Sequence, residues 1–253
     1  MQAGPVIQER EVFHCLILTD SRGLGLEEYI ESSTLLPEIP NSIINVEVSK
    51  RGGSTLDGVG SRIRSLARKH TYEYDFILIF VGICSFTTLS TVRRRKHLSY
   101  TTDNKVSHIT GIIDSLLEEF GRKIHVATIP PADIIKYNSN KNKEWSSNNL
   151  YEQQQKELVY DVEEVNRYII ERSIDRDTAT ILTAKQAYTS KVRKDKKTHK
   201  KKTIRKFNSK DLVDGVHANE TLAKAWFGRI ESFIYKLILR AKGLAAESDD
   251  QRD

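Results

Sequence analysis

A three-layer α/β/α fold around a five-stranded parallel sheet is what the sequence predicts, and three features of the 253-residue chain predict it. Strand-like and helix-like segments alternate five times, which calls for right-handed crossovers and a sheet covered on both faces. The strand candidates are continuous apolar runs, the pattern of strands buried on both sides. The first three of them end in glycine-containing turns, and open α/β sheets bind their ligands at the carboxyl ends of strands.

The first strand is the run Phe13 to Thr19, stopped by Asp20-Ser21-Arg22-Gly23. Leu24 to Ser33 is compatible with a short helix, and Pro37 and Pro40 punctuate a loop. Ile43 to Val48 is the second strand by its β-branched content, and it runs into Lys50-Arg51-Gly52-Gly53-Ser54-Thr55. Val59, Ile63, Leu66 and Ala67 fall at helical spacing. Asp75 to Val81 has no polar interruption after its first residue and is expected at the centre of the sheet, followed by Gly82-Ile83-Cys84-Ser85.

Residues 86–104 form a loop that carries Arg93, Arg94, Arg95 and Lys96. A helix with apolar spacing then runs from Val106 to Phe120 and stops at Gly121. Ile124 to Ile129 is the fourth strand, closed by Pro130-Pro131, and a polar loop extends to Asn149. An amphipathic helix covers Leu150 to Ile170, and Ala179 to Thr183 is a short fifth strand. No period survives over 184–211. The last helix carries Leu222, Trp226, Ile230, Phe233, Ile234 and Leu237 as its stripe. The expected sheet order is the flavodoxin-like 2-1-3-4-5.

With 38% hydrophobic and 29% charged residues the chain can bury one sizeable core. Residues 1–243 are therefore expected to form a single domain, and 244–253 a disordered tail. The longest wholly apolar stretch, Phe76 to Cys84, is too short to span a bilayer, and the first residues lack a secretory pattern. A soluble protein of the cytoplasm or nucleus is expected. Two cysteines cannot build a disulfide framework, and seven histidines show no zinc spacing, so no metal and no organic cofactor is implied.

The net charge of +6 is uneven. Lys191 to Lys210 carries +10, which leaves the rest of the chain near −4. Such a run is commonly a solvated loop. It also suits nuclear targeting or a phosphate contact, with Arg93, Arg94, Arg95, Lys196, Lys197, Lys200, Lys201 and Lys202 as candidate polyanion or nucleic-acid contacts.

The chemistry-bearing residues fall at the strand ends. Asp20 or Ser21 suits a helix cap, yet Ser21 is also placed to act as a nucleophile. Asp214 and His217, three apart on a loop entering a helix, supply a carboxylate and a base from one piece of chain. Glycine turns let backbone N–H groups approach a developing oxyanion.

These blocks, in this order, resemble the SGNH or GDSL hydrolases from about Phe13 to Leu239. Asp20-Ser21 matches the nucleophile motif, with Thr19 where the family has glycine, and Gly53, or Gly52, matches the second block. Gly82-Ile83-Cys84-Ser85 stands in the place of Gly-x-Asn-Asp, and Asp214-Gly215-Val216-His217 matches Asp-x-x-His. The resemblance implies Ser21 as nucleophile, His217 as base and Asp214 as its orienting group. It further implies an oxyanion and substrate site at Gly53, Gly82 and Cys84, and a small acyl ester as substrate. Cys84 replaces the family's Asn, and a thiol is a weak donor. Loss of one such donor removes about 2.7–4 kcal/mol, roughly a hundred- to a thousandfold in rate. The rival reading is a weak or inactive module of the same fold that binds a polyanion through its basic loops. Cys84 itself could pair with His217 as a nucleophile or serve as a redox-sensitive thiol.

Overall fold

The structure, a computed structural model, describes residues 10–92, 94–100, 105–142, 149–176, 180–194 and 201–244. Four strands make the central sheet: β1 (Glu11–Thr19), β2 (Ser42–Lys50), β3 (Phe76–Phe80) and, later in the chain, Ile124–Val126. All pairs are parallel. Between them run α1 (Leu26–Glu31), α2 (Val59–Ala67), α3 (Ile83–Phe86), a hairpin of β4 (Thr87–Val92) and β5 (Arg95–Tyr100), and α4 (Lys105–Phe120). With Ile124–Val126 numbered β6, the sheet order is β2-β1-β3-β6. Then follow α5 (Ile134–Lys141), α6 (Asn149–Asp175), a second hairpin of β7 (Tyr188–Lys194) and β8 (Lys201–Phe207), and α7 (Glu220–Ala241).

The apolar runs are continuous because each face of the sheet has its own core. Leu16 and Leu18 of β1 and Ile77 and Ile79 of β3 point into one, with Val59 and Ile63 of α2, Ile109 and Ile113 of α4, and Val162 and Val165 of α6. The alternate residues Cys15, Ile17, Leu78 and Phe80 point into the other, with Leu26 of α1 and Trp226, Ile230 and Ile234 of α7. Alternation by two thus sends successive side chains to opposite layers, giving the α/β/α sandwich.

Among the described residues the sheet has four strands where five are expected. The fourth was expected to run to Ile129 but ends at Val126, because threonine hydroxyls and side-chain amides take over from the ladder. Thr128 N–H donates to Ile181 O at 2.9 Å, Ala184 N–H donates to Thr128 Oγ1 at 2.9 Å, and the Thr180 and Thr183 hydroxyls donate to the carbonyls of Val126 and Thr128. Residues 180–182 therefore lie alongside β6 without forming the fifth strand, and Thr183–Ala187 is a 3-10 turn. Residue 179 lies outside the described residues.

Asn166 of α6 then closes both polar groups of Ile129, accepting from its N–H at 2.6 Å and donating to its carbonyl at 2.9 Å. Gln155 does the same for Ile134 N–H and Ala132 O, at 2.7 and 2.8 Å. A non-repetitive segment can be buried only if its backbone groups are answered, and here α6 answers them.

Both expected basic loops contain hairpins. β4 is rich in Thr, Ser and Val, and β5 is seated on the helices by Asn138 of α5, which accepts from Leu98 N–H at 2.9 Å and donates to its carbonyl at 2.8 Å. The β7–β8 hairpin occupies the basic segment, in which 195–200 lie outside the described residues, as does all but the first residue of the tail 244–253. Among the described residues no helix is long and apolar enough to cross a membrane.

Asn166→Leu orphans the N–H and carbonyl of Ile129, each of which costs about 1–3 kcal/mol when buried. Urea unfolding of this variant is expected to show a loss of about 2–5 kcal/mol, and unchanged stability would refute the clamp.

Candidate active site

β1 stops at Thr19 and Asp20 turns the chain. Its Oδ1 accepts from Arg22 N–H at 2.8 Å, capping the 3-10 turn Ser21–Gly23. The expected cap falls on this turn and not on the helix, since α1 begins at Leu26 behind Gly25 with no side-chain cap, and Ser21 is left half-buried at the sheet's carboxyl edge. Burial raises the Asp20 carboxyl above the usual range, against the Arg22 charge and the capped N–H.

Asp214-Gly215-Val216-His217 folds around one carboxylate. Asp214 Oδ1 accepts from Val216 N–H at 3.0 Å and from His217 N–H at 2.8 Å, while Oδ2 lies 2.9 Å from His217 Nδ1. His217 Nε2 lies 2.9 Å from Ser21 Oγ. An ionised carboxylate only accepts, so Nδ1 carries the proton and Nε2 of the neutral ring is left to accept from the serine hydroxyl. Burial alone would raise Asp214, but the bonds from His217 N–H, the His217 ring and Val216 N–H outweigh it and hold the carboxyl below its ordinary range. The His217 side chain is 45% exposed, so the ring is open to a substrate.

The loop is pinned on every side. Gly215 O accepts from Asp133 N–H at 2.7 Å, and Val213 N–H donates to His217 O at 2.6 Å. Gly215 has φ +91°, and a Cβ there would sit 2.3 Å from Asp133 O, so only glycine fits. Lys136 Nζ donates to Ser209 O at 3.2 Å and also to Leu212 O. Asn219 caps α7 by accepting from Leu222 N–H at 2.9 Å. The Arg22 side chain reaches across from the other turn: Nε donates to Val216 O at 3.2 Å, Nη2 to Pro131 O at 3.1 Å, and Nη1 to Pro130 O.

Gly53 is exposed, with φ +70°, in the turn after β2. That turn hangs from the end of β1, for Arg51 N–H donates to Thr19 O at 3.0 Å, and Arg62 Nη1 donates to Thr19 O at 3.4 Å and Ser54 Oγ at 3.3 Å. Gly82 is buried, and a Cβ there would meet Ile129 at 2.5 Å, which gives it a packing reason to be glycine. Ser85 accepts from Leu56 N–H at 2.9 Å, joining the third turn to the second. Cys84 is half-buried on α3. Burial raises its thiol, the Asp20 carboxylate raises it further and the Arg22 charge opposes them, so it is held as the protonated form. The pairing of Cys84 with His217 is not formed, since Nε2 faces Ser21.

Of the basic candidates, Arg93, Lys196, Lys197 and Lys200 lie outside the described residues, and Lys201 and Lys202 fall on β8. Arg94 is exposed in the β4–β5 turn at φ +65°, and Arg95 donates to Lys141 O at 3.2 Å. The sequence reading missed Arg22, Arg62, Asp133 and Lys136. Arg22 alone carried a signal, as a charge adjoining the proposed nucleophile at the end of a buried strand.

The fold is shared with a solved lipase/acylhydrolase. A solved lipase/acylhydrolase from Enterococcus faecalis superposes with a TM-score of 0.57 at 15% identity, over 88% of this chain and 95% of that one. A variant of the acetyl xylan esterase Axe2 from Geobacillus stearothermophilus matches 96% of this chain and 100% of its own at 15% identity, TM-score 0.49. AlinE4, an SGNH-hydrolase family esterase, matches 93% and 98% at 14% identity, TM-score 0.41. No family model and no curated protein matches the sequence.

The depressed Asp214 carboxyl makes the unfolded chain bind more protons than the folded one as pH falls through the carboxylate range. Its stability contribution is therefore present above the unfolded value of about 3.9 and lost as the pH drops through the lower folded value. Wild type is expected to exceed Asp214→Asn in stability near neutrality, with the gap closing in acid, as read by urea unfolding at a series of pH values. A gap that widens in acid would contradict the assignment.

Proposed function

We propose that this chain is a serine hydrolase that cleaves an acyl ester through an acyl-enzyme intermediate. The observation that carries the reading is the continuous series Ser21 Oγ, His217 Nε2, His217 Nδ1, Asp214 Oδ2, with both hydrogen bonds at 2.9 Å. His217 takes the Ser21 proton as Oγ attacks the ester carbonyl carbon, and the carbonyl electron pair moves to oxygen. The oxyanion is held by the backbone N–H groups of Ser21 and Gly53. As it collapses, the alcohol leaves with the proton from His217, and the acyl group stays on Ser21. Water, deprotonated by His217, attacks the acyl-enzyme and releases the acid, which restores the serine. Asp214 holds the ring in the productive tautomer and balances its positive charge while it carries the extra proton.

The half-buried site on an open rim suits a short acyl group carried on a sugar, a lipid or a similar alcohol. Cys84 leaves the oxyanion with two backbone donors and no amide side chain, so turnover is slow by comparison with a three-donor site.

Purified protein is expected to hydrolyse p-nitrophenyl acetate, and Ser21→Ala to lower kcat by about a thousandfold or more. Equal rates in the two proteins would remove Ser21 from the mechanism. Cys84→Asn supplies the missing donor and is expected to raise kcat by about ten- to a hundredfold. A fall or no change, with Ser21-dependent turnover intact, would show that the third donor comes from elsewhere or is not used.

A further inference from the structure

We propose that Arg22 is the positioning residue that sets the distance between Ser21 and His217, by clamping the nucleophile's turn to the loop that carries the base. The consequence for rate rests on the hydrolase reading above, whereas the clamp itself is a statement about geometry.

Arg22 follows Ser21 in the chain, and Val216 precedes His217. The Nε–Val216 O bond at 3.2 Å and the Ser21–His217 bond at 2.9 Å therefore close a ring made of two dipeptides and two hydrogen bonds. Beside the reacting pair itself, the first bond is the direct hydrogen bond among the described residues that ties the Ser21 turn to the His217 loop. The remaining donors extend the clamp to a third segment, the carbonyls of Pro130 and Pro131. Those two carbonyls belong to residues with fixed φ and no N–H, a stiff wall against which the turn is set. The face of Trp226 lies 5.9 Å from the guanidinium carbon and completes the pocket.

Stability alone does not single out an arginine here. Its side chain is buried, with the residue 5% exposed, and its side-chain hydrogen bonds go to three neutral carbonyls. Its charge also offsets the buried Asp20 carboxylate, a task that any cation at this place would perform. What an apolar group cannot do is hold three carbonyls on two loops at fixed distances. A lysine, with its donors at one point, cannot span them either, whereas a planar guanidinium fork can. A displacement of about 1 Å in a reacting group is worth about a hundredfold in rate.

The test uses the full chain with Arg22→Met and Arg22→Lys, each checked for fold by near-UV circular dichroism. Two readouts are taken: kcat and KM on p-nitrophenyl acetate, and the crystallographic Ser21 Oγ to His217 Nε2 separation. Arg22→Met is expected to fold, to lose about a hundredfold in kcat with KM within about threefold, and to show the separation opened beyond hydrogen-bond reach. Arg22→Lys, which keeps the charge and loses the fork, is expected to lose about tenfold in kcat and decides the matter if the methionine variant does not fold. A folded variant with wild-type kcat, or one in which the 2.9 Å separation is unchanged, overturns the proposal. If wild type itself shows no Ser21-dependent turnover, the hydrolase reading fails, and the separation measured in the variants still decides whether Arg22 is the clamp.

Discussion

β1 is hydrogen-bonded on both sides, to β2 and to β3, and is buried on both faces, so its carboxyl end is a fixed point from which other loops can be hung. Thr19 O accepts from Arg51 N–H and from Arg62, which attaches the Gly53 turn. Asp20 caps the turn that presents Ser21, and Arg22 carries the connection on to Val216 and the two prolines. The site is thus assembled from one rigid strand end outward. Groups that must sit within tenths of an ångström of one another are tied to the least deformable element in the molecule.

A second theme is the use of side-chain amides and hydroxyls in place of a ladder. Beyond β6 the chain has to rise to the rim, turn and bring Asp133 against the Gly215 carbonyl, a path no regular strand follows. Asn166, Gln155, Thr180 and Thr183 satisfy its backbone in turn. Buried and paired in this way, the segment is as constrained as the sheet it leaves, and it forms the wall behind the His217 loop.

The layers, the first three strands and the long helices were legible in the sequence because their signal is local. Leu16 and Ile17 are both apolar since both faces are covered, and Gly121 ends α4 as a left-handed residue at φ +65°. The two hairpins were missed because Thr87 to Val92 and the lysine-rich β8 are read as loop by charge and hydroxyl content, although each pairs with the strand next to it in the chain. The fifth strand failed for a related reason. Its β-branched residues are present, but they turn their hydroxyls on β6 in place of their amides. At the site, Ser21, Asp214 and His217 were readable from residue type and order, and they lie in one hydrogen-bonded series. Lys136 and Asp133 were not, because each acts on a carbonyl, and a backbone carbonyl leaves no mark in the letters of a sequence; Arg22 was marked only by its place beside Ser21.

Asp214 has two tasks, one oxygen folding its own loop and the other steadying the imidazole. Ser21 has a single side-chain bond among the described residues, to the ring. Released from selection on chemistry, a lineage of such chains would keep the acid for the sake of its shape and let the hydroxyl drift. A serine at position 21 therefore bears on chemistry alone, whereas an aspartate at position 214 bears also on the shape of its loop.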